Sequence, residues 1–451
     1  MTTLDTRETG TAEPAERAQA AQPGPGLVDD ARDVVRLLDR PTLRTPLLDR
    51  LRAEYAPLFA EIGAGALDRE LDDVLPDQEV RRLAEAGFGA LRVPEEFGGR
   101  GASIPELTQL WIDLAAADSN LPQALRGHAA LVEDRLWQHA RGHDQRVWFD
   151  RFAEGELAGN AWSEIGSTSI DTQRTVLTAQ PDGDYLLTGS KYYTTGTVYA
   201  QWADVYVRRE VPGRDPDFAI ALVDTRQPQV VVSNDWSGFG QRGTGSGTTT
   251  FETAHVAAGD VLAFGERFVF QTALYQLNLL AVLAGIGRAA VRDFVVQVQR
   301  RERNYSHANA ARVRDDAQVL ARIGEAAAGV YAAEAAAIRT ATALQEVADL
   351  AALADDKPGR VAAANEVAEL ESSAAQVVAT QLVLDLTSDL FDTLGASGTA
   401  VEKGLDRHWR NARTVASHNP RILKARVVGA HAVNGTPPPY AWAIGRTVPE
   451  R

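Results

Sequence analysis

Three long stretches of helical periodicity fill the C-terminal part of the chain and constrain the fold more than any other feature. They are "RFVFQTALYQLNLLAVLAGIGRAAVRDFVVQVQRRERN", "DDAQVLARIGEAAAGVYAAEAAAIRTATALQEVADLAAL" and "RVAAANEVAELESSAAQVVATQLVLDLTSDLFDTLG". In the second, Val319, Ile323, Ala326, Val330, Ala333, Ala337, Ala341 and Leu344 fall on one face, where the alanines permit close helix approach. Helices of ~30 residues joined by short polar links predict an antiparallel bundle, set here at residues 265–451.

Upstream the period changes. Over residues 156–264 it is two, as in "TVLTAQPDGDYLLTGSKYYTTG", where Asp182-Gly183 is a hairpin turn between β-branched and aromatic runs. A β-domain of the barrel or sandwich kind is expected there. Over residues 29–155 the spacing is helical again: Val80, Leu83 and Ala84 recur at i, i+3, i+4 after an Asp77 start, and Gly87 and Gly89 end the run. Residues 1–28 are polar, rich in Ala, Pro and Gly, and read as a flexible extension. The fold class is therefore mainly α with a central β-domain.

Composition removes several function classes. Net charge is −15 with no Lys/Arg tract, so a nucleic-acid partner is not expected. There are 0 cysteines, which excludes disulfides, thiolate nucleophiles and Cys-ligated metal centres. No apolar run approaches the ~20 residues of a membrane helix, and no signal-peptide pattern opens the chain, so the expected location is cytoplasmic. Gly238-Phe239-Gly240-Gln241-Arg242-Gly243 spells G-x-G-x-x-G, but a strand-like "TTTFETAHV" follows where a dinucleotide fold needs a helix N-terminus. His139 and His143 share the spacing of paired zinc ligands, yet Ala140 stands where the metalloprotease motif has glutamate, so no metal site is assigned.

The order helices, β-domain, helical bundle, with "LRVPEEFGGRGAS" at 91–103, resembles the acyl-CoA dehydrogenase superfamily of flavoproteins. Within it, "SNLPQALRGH" (119–128), "GNAWSE" (159–164), "GSKYYTTG" (189–196), "NDWSGFGQRGTGSGT" (234–248) and "HWRNARTVASHNP" (408–420) are similar to the flavin-dependent monooxygenase branch typified by dibenzothiophene monooxygenase. The resemblance implies an N-terminal α-helical domain, a β-barrel or sandwich and a C-terminal four-helix bundle, assembled as a homotetramer. It implies reduced FMN, with FAD as the alternative, delivered by a separate reductase, because no nicotinamide-binding module is found in the chain. Family dehydrogenases carry a glutamate after the Arg-Asp-Ala-Arg-like run, to remove a proton α to a thioester. This chain has Ser417-His418-Asn419-Pro420 there, and an asparagine amide cannot accept that proton.

By that resemblance, His418 and Thr195 are the catalytic candidates. The first is a neutral imidazole suited to a flavin C4a-hydroperoxide; the second is a hydroxyl at the flavin N5/O4 edge. Asn160, Trp162, Ser163, Thr195, Trp236 and Ser246 match flavin-contacting positions, and Arg303 and Tyr305 match the phosphate side across a subunit boundary. Gln123, His128 and Asn419 are assigned to the substrate pocket. Gln123 replaces a pocket histidine of the branch and Ser397 an arginine, which leaves the substrate open. His418 also has a plain alternative, that of a cation capping a helix C-terminus. The competing functions are an acyl-CoA dehydrogenase or oxidase, and a non-catalytic oligomeric scaffold.

Overall fold

The computed structural model describes residues 36–165, 173–353 and 359–440; the extension at 1–28 lies outside them. Helices α1 (Pro46–Asp72), α2 (Asp77–Glu85), α3 (Ile104–Ala117), α4 (Asn120–Ala124), α5 (Arg126–Ala140) and α6 (Arg146–Ala153) come first. Pro76 takes the cap position of α2, and Asp77 sits inside the first turn, where its charge favours the helix N-terminus. Helix α3 starts with a reciprocal capping box, Ser103 to Glu106.

Strands β1 (Ala158–Ala161), β2 (Val176–Ala179), β3 (Tyr185–Lys191), β4 (Trp202–Glu210), β5 (Asp217–Asp224), β6 (Val230–Val232), β7 (Thr249–Val256) and β8 (Val261–Ala263) follow. They form one sheet in the order β6-β7-β3-β2-β4-β5-β8, with β1 added parallel to β4. β6 and β8 are its unpaired ends among the described residues, so the ladder is not a closed barrel, although β5 reaches across to touch β7. Gly183, with φ 99°, makes the β2–β3 hairpin. Alternation sorts the faces: Ala203, Val205, Val207, Ala219, Ala221 and Val223 fill the curled side, while Trp202, Tyr206, Ile220 and Leu222 pack on Trp148, Phe149 and Phe152 of α6.

The chain then returns to helices: α7 (Gln271–Arg300, 30 residues), α8 (Ala317–Ala352, 36 residues), α9 (Arg360–Asp389, 30 residues), α10 (Asp406–Val415) and α11 (Lys424–Asn434). In α8 the residues from Ala326 to Leu344 on the anticipated face are buried, and Val319 and Ile323 are partly so. α10 lies against α7 and α9, and α3 runs along α7 and α8, so the first domain and the bundle share one core. The loop before β7 locks the three parts together: Gln241 N–H donates to Asn411 Oδ1 at 2.6 Å, and Gln241 Nε2 donates to Ser119 Oγ at 3.0 Å. A side chain at Gly240 would put its Cβ 2.3 Å from the Arg410 carbonyl, which is why glycine stands where α10 crosses. The G-x-G-x-x-G stretch thus leads into strand β7 and not into a helix.

Candidate functional site

The β-domain supplies a wall of hydroxyls. The turn after β3 brings Thr195, 3 % exposed, to the loop before β7. Thr195 Oγ lies 2.8 Å from Ser246 Oγ, which lies 2.7 Å from Thr244 Oγ, and Thr244 donates to the Gln241 carbonyl at 2.8 Å. Each hydroxyl has one proton, so this end point orients the chain: Ser246 donates to Thr244 and Thr195 donates to Ser246. Thr195 therefore presents lone pairs, an acceptor, to anything beside it. Asn160 N–H donates to the Thr195 carbonyl at 3.2 Å, and Tyr192 N–H donates to the Ser163 carbonyl at 2.8 Å. Tyr193 meets Trp236 edge-on at 5.9 Å. Asn160, Ser163, Thr195, Trp236 and Ser246 are thus gathered at one edge of the sheet.

The second wall is the α4–α5 segment. A Cβ at Gly127 would come within 2.9 Å of Asn160, so α5 begins flush against β1. His128 is committed to this joint: its Nδ1 accepts from Ala158 N–H at 3.2 Å, and its Nε2 donates to the Gly89 carbonyl at 3.0 Å. Burial pulls its pKa down to about 4, which keeps the ring neutral. With both nitrogens used inside the protein, His128 supports the wall and offers a substrate nothing. Gln123 is buried with its Oε1 unpartnered.

An aromatic corner joins β1 to α7. Trp162 Nε1 donates to Asp204 at 2.9 Å, and Arg267 binds the other oxygen of Asp204 at 2.7 Å. The Trp162 ring meets Tyr275 edge-on at 5.9 Å, and Arg126 lies over the Tyr275 ring at 4.9 Å. Asp204, Arg267, Tyr275 and Arg126 were not singled out from the sequence. Arg126 alone left a trace there, a cation inside the otherwise apolar and amide-bearing "NLPQALRG".

His418 follows α10, its N–H donating to the Val415 carbonyl at 3.2 Å. The side chain keeps open surface, yet protein surrounds it closely enough that desolvation, helped by the charge of Arg126, pulls its pKa down to about 3; a hydrogen bond accepted by Asn419 Oδ1 opposes this. A neutral ring has no charge to set against a helix C-terminus, so the capping alternative loses its electrostatic basis. His418, Arg126, the adjoining Gly127, Asn160 and Thr195 form one succession of neighbours.

Arg303 and Tyr305 lie elsewhere. They follow the far end of α7, about 38 Å along that helix from the corner that holds Tyr275. Tyr305, 57 % exposed, sits under Arg301 and beside Gly395, close in sequence to Ser397. Within one chain they are not brought to the other candidates. A recess of about 810 Å³ also lies apart, bordered by Trp236, Arg242, Arg410, Glu70 and Val401. Its charges are already paired, Arg410 with Glu70 at 2.7 Å and Arg242 with Asp73 at 3.2 Å, and Trp236 is the one candidate residue on its border.

Two of the acidic groups near these residues are engaged, and a third faces away. Glu164 accepts from Lys191 Nζ at 2.8 Å and from two backbone N–H groups, and Asp204 holds Trp162 and Arg267. Glu369, on α9, has its pKa raised to about 7 by burial and faces Lys424. It accepts the N–H of Ala273, an otherwise orphaned donor in the first turn of α7, while its Oε1 has no hydrogen-bond partner. Tyr275 is about 200° around the helix from Ala273, so Glu369 caps the side of α7 turned away from the aromatic corner.

The descriptions "Acyl-CoA dehydrogenase" N-terminal, middle and C-terminal domain match residues 46–156, 159–254 and 277–420. A dibenzothiophene monooxygenase of Mycolicibacterium goodii is 30% identical over 376 residues, covering 79% of this chain and 87% of its own length. A Pseudomonas putida protein named "Probable FMNH2-dependent monooxygenase SfnC" is 28% identical, covering 85% of this chain and 94% of its own. The crystal structure of FMN-bound TdsC from Paenibacillus sp. A11-2 superposes with a TM-score of 0.78 at 27% identity, over 87% of this chain and 98% of that one.

Proposed function

The chain belongs to the acyl-CoA dehydrogenase family, and from that premise we propose that it is a two-component, flavin-dependent monooxygenase: it uses reduced FMN and O2 to oxygenate a small organic substrate at sulfur, nitrogen or aromatic carbon. The observation that carries this reading is the succession of neighbours from Thr195 through Asn160 and Arg126 to His418, where a neutral histidine stands and Glu164 and Asp204 are engaged. Removing a proton from carbon needs a free base beside it, and Glu369, the carboxylate here with an unpartnered oxygen, caps the side of α7 turned away from the aromatic corner.

The residues present fit a reduced flavin. Thr195, held by the Ser246–Thr244 relay, is an acceptor, which suits a flavin whose N5 carries hydrogen. Asn160, with its Oδ1 unpartnered, and Ser163, Ser246, Trp162 and Trp236 are assigned to the rest of the ring system. Reduced FMN, when bound, supplies the electrons that activate O2. His418 holds or passes a proton at the ring nitrogen not bonded to Asn419, and Gln123 and Asn419 border the substrate. The aromatic corner keeps water from the reacting centre.

Arg303 and Tyr305 reach a cofactor phosphate only from another copy of the chain, which supports a homotetramer; sedimentation analysis should give four copies, and a monomer would remove these two residues from the site. Reduced flavin comes from a separate reductase, and a cytoplasmic setting fits that supply. Among the described residues no helix is long and apolar enough to cross a membrane.

The test feeds the protein FMNH2 from a generic reductase with sulfides, amines and phenols in turn. Product carrying one added oxygen, with peroxide release falling as product rises, is expected. Bleaching of bound flavin by an acyl-CoA without O2 would establish a dehydrogenase instead.

A further inference from the structure

Arg126 is 4 % exposed, and no carboxylate among the described residues pairs with it. Burying an unpaired guanidinium is strongly unfavourable, so its retention asks for a partner that the described residues do not provide. Its face is covered by Tyr275, 4.9 Å from Cζ. Its edge is not: Nε has no hydrogen-bond partner. That edge is the part of the fork that binds a two-oxygen anion through parallel N–H bonds.

The surroundings point the same way. The Tyr275 hydroxyl and Asn419 Nδ2 are buried donors without partners, on α7 and in the turn after α10. Arg126 acts on the His418 ring, which places its charge at the reacting end and not at a remote surface. By contrast Arg267, as deeply buried in the same aromatic corner, has Asp204 against it.

Resting on the assignment of this site to substrate, we infer that Arg126 anchors an anionic group of the substrate, so that the molecule oxygenated here is a compact organic acid bearing a carboxylate, sulfinate or sulfonate. The anion takes the edge of Arg126 with the Tyr275 hydroxyl and Asn419 Nδ2 as further donors, and the organic body lies along Tyr275 and Trp162, toward His418. Charge selects the substrate class, and the fixed guanidinium orients the atom to be oxygenated.

The test uses full-length protein loaded with FMN and compares isosteric pairs by calorimetry: benzoate against benzamide, and benzenesulfonate against benzenesulfonamide. Each anion should bind at least about tenfold more tightly than its neutral partner, about 1.4 kcal/mol. Arg126→Gln should abolish the preference with FMN affinity unchanged, and Arg126→Lys should retain part of it. The inference is overturned if wild type shows no preference, or if the preference survives in Arg126→Gln. It is overturned equally if Arg126→Gln weakens FMN and leaves the preference intact, because the arginine would then serve the cofactor. Flavin binding is measured on the same preparations: without it the monooxygenase reading fails separately, and the anion preference is read on flavin-free protein.

Discussion

Arg267 and Arg126 are both buried arginines beside the same aromatic corner, 3 % and 4 % exposed, and the protein treats them oppositely. Asp204 and Asp134 hold the pKa of Arg267 above its ordinary value despite burial, whereas burial draws that of Arg126 down to about 10. The histidines divide in the same way. His128 has both ring nitrogens engaged, and His418 keeps open surface. Residue type therefore does not separate framework from working group; what separates them is a facing carboxylate for the arginines and engaged ring nitrogens for the histidines.

The comparison predicts unequal consequences. The largest concerns His418: His418→Ala should leave folding and FMN binding unchanged while product formed per O2 consumed falls by about 10²-fold or more. Chromatographic product yield set against oxygen-electrode traces measures this, and unchanged coupling would return His418 to the framework.

Asp204→Asn should leave Arg267 with only the longer ion pair to Asp134, at 3.9 Å, and cost about 3 kcal/mol, read from urea unfolding. A loss below 1 kcal/mol would mean that pairing is not what distinguishes the two arginines. His128 gives a pH test of similar size. Its folded pKa of about 4 lies below the unfolded value near 6.5, so between them the unfolded chain binds a proton that the folded chain refuses. Stability should fall as pH drops through this window, by about 3 kcal/mol at pH 4, and His128→Asn should flatten that part of the curve.

The smallest effect has the opposite sign. Arg126→Met removes an unpaired buried charge and should raise stability by about 1 kcal/mol, measured as an increase in Tm. Marked destabilisation would indicate a partner for Arg126 within the folded chain.

Architecture was legible because periodicity is local. The switch from helical spacing to alternation and back, and the Asp182-Gly183 turn, locate the three parts. The hydroxyl wall was legible as far as Thr195 and Ser246, through family resemblance. What was hidden is long-range pairing. Whether His128 faces a substrate depends on Gly89 and Ala158, 39 and 30 residues away, and whether Arg126 is paired depends on carboxylates that no local pattern places. The same limit applies to Arg303 and Tyr305, whose assignment needs a neighbouring copy.

The most direct test of oxygen transfer is isotopic. Protein supplied with FMNH2 under oxygen-18 gas, with a panel of sulfides, amines and phenols, should yield product containing one heavy atom drawn from O2 and none from labelled water. Product labelled from water, or oxidised product formed in the complete absence of O2, would contradict the account.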